Sequence, residues 1–140
     1  MDLEQPEHSD GRLQWSLLCG STENELRLAR TLADRVSVAD ESREALRVVI
    51  GELASNAVRH ALTPYTVTLT ANLEAVTIEV QDQSLLLPQL RKLMPSQPGG
   101  RGLHIVNGLS DAWGTTTHGD AGKTVWARID HSLPTLRQGL

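Results

Sequence analysis

The sequence predicts an α+β two-layer sandwich, a mainly antiparallel sheet with three helices covering one face. Three observations lead there. Several short segments alternate β-branched or apolar residues with polar ones, and three others repeat apolar residues at helical spacing. The predicted order is strand, helix, helix, two strands, loop, helix, two strands, which lacks the regular βαβ alternation of a parallel doubly wound sheet.

Residues 1–11 are polar and aperiodic and read as a disordered tail. Residues 12–130 form one domain, and 131–140 read as a second tail. Leu13 to Cys19 is a short mixed run that suits an edge strand, closed by Gly20-Ser21-Thr22. Thr22 with Glu25 makes a capping-box pattern, and Leu26, Ala29, Leu32, Ala33 and Val36 then predict a helix from Glu23 to Val36. Ser37 and Asp40 offer another N-cap. From there to Ala61 the chain has no Pro, with Leu46, Val49, Ile50, Leu53, Ala57 and Val58 on one side of a long central helix.

Thr66–Asn72 and Ala75–Gln81 alternate around Leu73-Glu74 and predict an antiparallel hairpin. Asp82 to Arg101 carries Pro88, Pro95 and Pro98, and a loop of that length inside a compact domain is usually functional or disordered. Leu103, Ile105, Val106, Leu109 and Ala112 resume helical spacing, although Asn107-Gly108 could instead mark a hairpin turn. Trp113–His118 and Lys123–Ile129 close the chain as a second hairpin.

Composition narrows the function classes. The chain has 140 residues and 1 cysteine, and 13 Lys plus Arg against 17 Asp plus Glu give a net charge of −4. No basic stripe stands out to neutralise phosphates, so direct nucleic-acid binding is not expected. Aromatics are only 3%, too few for base-stacking platforms. The acidic N-terminus does not look like a secretory signal, and no apolar run is long enough to span a bilayer, so a cytoplasmic protein without membrane contact is expected.

Within the central helix, Glu52, Asn56, Arg59 and His60 fall inside an arc of roughly 100°. One face therefore presents a carboxylate, a carboxamide, a guanidinium and an imidazole. A solvated amphipathic face would look the same, but Asn is a poor helix former, and Ala54 and Ala57 beside it are small, as at a close packing or a pocket. Asp82 follows a strand at its C-terminal end, where a carboxylate serves either as a turn cap or as a group facing a cleft. Gly99-Gly100-Arg101-Gly102 precedes a helix and is either a flexible turn or an anion-facing N-terminus.

In this order and spacing the residues resemble, over roughly 37–129, the ATPase family that includes gyrase, the histidine kinases and the bacterial anti-sigma serine kinases, whose shared architecture is the Bergerat ATP-binding fold. The family's N-box looks like Glu52-Leu53-Ala54-Ser55-Asn56-Ala57-Val58-Arg59-His60. Its first glycine box resembles Asp82 to Pro88, and the other glycine box resembles Gly100-Arg101-Gly102-Leu103-His104-Ile105-Val106. The ending Gly122-Lys123-Thr124-Val125-Trp126 also fits, and the compact size most resembles the anti-sigma kinase branch.

The resemblance implies ATP and Mg²⁺ as ligands. Asn56 would hold Mg²⁺, a hard ion that completes its shell with phosphates and water. Glu52 would act as general base for an attacking hydroxyl, and Arg59 would meet a phosphate. Asp82 would accept the adenine amino group, with Thr124 supporting that end of the site. Gly100, Arg101 and Gly102 would wrap the phosphates, and His60 would make either a structural hydrogen bond or a phosphate contact. Where the family reads Asp-x-Gly-x-Gly, this chain has Ser84 and Leu86, which lack the backbone freedom of glycine.

The implied function is an ATP-binding anti-sigma factor with serine/threonine kinase activity towards an anti-anti-sigma partner of the STAS type, controlling a sigma factor by partner switching. Homodimerisation is implied as well. The alternative is a non-catalytic, nucleotide-gated interaction module. Other motifs carry no chemistry. Gly122-Lys123-Thr124 is not a P-loop, because position 117 is Thr and no helix is predicted after it. Glu52, Asn56 and His60 lack the second histidine of a zinc helix.

Overall fold

The computed structural model describes residues 7–9, 12–61, 63–85 and 101–131, with backbone alone at 7–9, 60, 61 and 101. Its elements are β1 (Glu7–Ser9), β2 (Arg12–Cys19), α1 (Glu23–Arg30) running into a 3₁₀ segment (Thr31–Arg35), α2 (Asp40–Ala61), β3 (Tyr65–Ala71), β4 (Ala75–Asp82), α3 (Arg101–Leu109), β5 (Ala112–Thr117) and β6 (Lys123–Asp130). The strands form one antiparallel sheet in the order β1-β2-β3-β4-β6-β5, and the helices lie on one of its faces. The α+β sandwich is therefore the observed architecture.

Period-2 alternation sorts the sheet. Trp15, Leu17 and Cys19 of β2 line up through the register with Leu69, Val67 and Tyr65 of β3. Val67, Leu69 and Ala71 face Val80, Ile78 and Val76 of β4, which face Val125, Ala127 and Ile129 of β6. These rows meet Leu46, Val49, Ile50, Leu53, Ala54 and Ala57 of α2 and Leu26, Ala29, Leu32 and Ala33 beside it. Each fully buried Leu, Val or Ile side chain contributes about 1.5–3 kcal/mol through transfer from water. The other face is polar: Ser16 bonds Thr68 at 3.1 Å between side chains.

Two expectations about the N-terminal half change. Glu7–Ser9, read as part of a disordered tail, pairs with β2 through Glu7↔Gln14, His8↔Leu13 and Ser9↔Arg12. Backbone groups pair whatever the side chains, so a polar strand escapes a search for apolar alternation. Consequently β2 is not an edge strand. The helix expected to run to Val36 tightens at Thr31, whose hydroxyl donates to the Leu28 carbonyl at 2.6 Å and whose N–H also turns back to Leu28 and Ala29. The capping box at its start is present, with the Glu25 N–H donating to Thr22 Oγ1 at 3.2 Å, and bonds from Gly20 and Thr22 hold the Glu25 carboxyl below its usual range.

The long helix occupies the predicted span, and the Asn107-Gly108 pair does not make a hairpin. Asn107 Oδ1 instead accepts from Trp113 Nε1 at 3.0 Å, tying α3 to β5. Asn72 Oδ1 accepts from the N–H groups of Glu74 and Ala75 and closes the β3–β4 turn. Buried Cys19, whose thiol burial pushes up to about 11, fills space beside Tyr65.

Candidate functional site

The apolar rows on the covered face end in charge. The next core-facing position on β4 after Val80 is Asp82, and its register partner on β6 is Lys123. Both are buried, at 3% and 2% exposure. The Lys123 ammonium donates to both carboxylate oxygens of Asp82 at 2.9 Å, and the Ser84 N–H donates to Asp82 Oδ1 at 2.8 Å. Gly122 brings the two strands together there. Its φ is +103°, and a Cβ would collide with the Asp82 carbonyl, so no other residue fits.

On α2, Glu52 and Asn56 are half-buried, one turn apart, at the border of the face that packs on the sheet; Arg59 is exposed, with its Nε turned back on the Ser55 carbonyl at 3.5 Å. α3 packs against α2 and passes directly over Glu52: a Cβ on Gly102 would lie 2.6 Å from Glu52 Oε2. Glycine at 102 therefore leaves the carboxylate its place against the first turn of α3. Glu52 and Gly102 meet along the α2–α3 contact, and Asn56 lies one turn further along α2.

Thr124 is placed differently from the expectation. Alternation along β6 turns it to the polar face, where its Oγ1 bonds His118 Nε2 at 2.8 Å, while Lys123 takes the position beside the Asp82 carboxylate. Lys123 is the residue that reasoning from sequence missed. The signal was available: Lys123 shares parity with Val125, Ala127 and Ile129, so a strand from 123 onward buries it. Gly100 lies outside the described residues, as do the Arg101 and His60 side chains and most of the loop that contains Leu86.

The donor set suits a nucleotide. A carboxylate offers about four acceptor positions; Asp82 has three contacts with donors among the described residues, leaving Oδ2 with capacity for a base amino group. Asn56 offers a neutral oxygen of the kind a nucleotide-bound Mg²⁺ takes. A surface cavity beside Asn72, Glu74, Ala75, Arg128 and Asp130 lies at the opposite end of β4 and β6 and shares none of these groups.

An antiparallel sheet covered by helices on one face, with an asparagine-bearing helix above a buried aspartate at a strand end, defines a class of nucleotide-binding α+β domain. The model of the histidine kinase-like ATPase domain matches residues 17–129, and the chain belongs to that family and carries its ATP-binding domain. No curated protein matches the chain. Among the described residues no helix is long and apolar enough to cross a membrane.

Proposed function

We propose that this protein is an ATP-dependent serine/threonine kinase of the anti-sigma type. It would hold a sigma factor in one state and phosphorylate a STAS-type anti-anti-sigma protein in the other, with ATP and Mg²⁺ as its ligands and a second copy of itself as a further partner. The observation that carries the catalytic part is the Glu52–Asn56–Gly102 arrangement. A half-buried carboxylate stands one helical turn from the Mg²⁺-binding candidate and under the start of α3.

Each group has a role in this reading. Mg²⁺ held by Asn56 would neutralise charge on the phosphates. Glu52 would accept the proton of the serine or threonine hydroxyl as its oxygen attacks the terminal phosphorus, with ADP leaving. Asp82 would orient the adenine, and Arg59, released from the weak bond to Ser55, would reach a phosphate as a charged donor. Arg101, Gly100 and Gly102 would contribute to the phosphate enclosure.

One feature favours the non-catalytic module as a second reading. The first glycine box has Ser84, whose N–H is already spent on Asp82, in place of a glycine. Incubation with γ-labelled ATP and a candidate anti-anti-sigma protein distinguishes the two. Label on the partner that is lost in Glu52→Ala, with ATP binding intact, supports the kinase. Intact ATP binding without transfer by the wild type leaves the module. Asn56→Ala should remove Mg²⁺-dependent nucleotide binding, read as loss of the stabilisation of about 2.7 kcal/mol that a ligand at a hundred times its Kd confers.

A further inference from the structure

A buried ion pair is a poor way to stabilise a fold. Removing two charges from water costs about what their attraction returns, and apolar residues of similar size do as well or better. Yet Lys123 and Asp82 hold such a pair on the sheet face that is otherwise lined by Val80, Val125, Ile78 and Ala127. The ammonium has three N–H groups, and its only partners among the described residues are the two oxygens of Asp82. The pair therefore presents, side by side, one acceptor position on Oδ2 and one donor position on Nζ.

We propose that Lys123 is a nucleobase-reading residue, donating to N1 of the adenine whose 6-amino group Asp82 accepts. This rests on the assignment of Asp82 to the base made above. An acceptor beside a donor is the complement of adenine's Watson–Crick edge, which carries the amino group next to the unprotonated N1. Guanine in the same place would set its O6 against the carboxylate and its N1–H against the ammonium, and so would be rejected at both positions. The ion pair also holds Asp82 in position before the base arrives, which lowers the ordering cost of binding.

Calorimetric titration with ADP and with 1-deaza-ADP, which replaces N1 by C–H, tests the assignment. The wild type should bind the 1-deaza analogue about tenfold or more weaker, as loss of a hydrogen bond to a charged donor predicts. Folded Lys123→Met should bind the two within about twofold of each other, on the same reasoning that no charged donor then meets N1. Equal binding of both ligands by the wild type overturns the proposal while leaving the nucleotide site intact. A tenfold preference retained by Lys123→Met overturns it too, since another group would then read N1. If neither ligand binds the wild type, the assignment of Asp82 fails along with it. Should the variant not fold, the Lys123 ammonium resonance of the wild type decides: it should shift with ADP and not with the analogue, and identical behaviour with both overturns the assignment.

Discussion

The covered face of the sheet has two ends that share one pleat and one register and do opposite things. At one, Trp15, Leu69, Ile78 and Ala127 form an apolar row under α2; at the other, two of the same strands, β4 and β6, place Asp82 and Lys123. The first row stabilises by removing hydrocarbon from water and needs no particular partner. The second contributes little net stability while each member depends on the other. Stability and recognition are thus separated along β4 by the four residues from Ile78 to Asp82, a rise on the order of 13 Å.

Breaking the pair should show that dependence. Lys123→Met alone leaves an unpaired buried carboxylate and should cost about 3–5 kcal/mol in urea unfolding, whereas Asp82→Leu with Lys123→Met should recover most of it. The double variant should no longer bind ADP. A single variant as stable as the wild type would mean that water reaches the pair, and the contrast between the two ends would disappear.

Ile78→Ala, in the apolar row, should cost about 2–5 kcal/mol by the same measurement. Here no partner substitution should restore stability, and the folded protein should bind ADP as before. A much smaller effect comes from outside both regions. Thr22→Ala removes the α1 cap and should lower stability by about 1 kcal/mol in thermal melting, with nucleotide affinity unchanged.

The smallest stability change is expected at Gly102. Alanine there gains up to about 1 kcal/mol of helix propensity, but its Cβ must push the Glu52 carboxylate aside. Melting should stay near the wild-type value while transfer to the partner protein falls. Unchanged transfer would separate Glu52's position from its role.

Much of this was legible because it is local. The central helix from Asp40 to Ala61 follows from apolar spacing without a breaker, and the β3–β4 hairpin from alternation with Asn72 at its turn. Glu52 and Asn56 could be placed on one face from spacing alone, because a helix converts three or four residues of sequence into one turn. The order of motifs was enough to indicate the ATPase family, to which residues 17–129 belong.

Other features depend on chain segments that meet only in the folded molecule. Thr124 and Lys123 are neighbours in sequence and lie on opposite faces, and which of them meets Asp82 is decided by strand register across 41 residues. β1 exists through backbone pairing to β2, which leaves no mark in side-chain pattern. The approach of Gly102 to Glu52 is set by how α3 docks on α2. By itself, then, the sequence determined the helices, the hairpins and the family, because steric preference and periodicity act within a few residues. Tertiary structure alone decided the partners of Asp82 and Glu52, because burial and register are properties of surfaces brought together from distant parts of the chain.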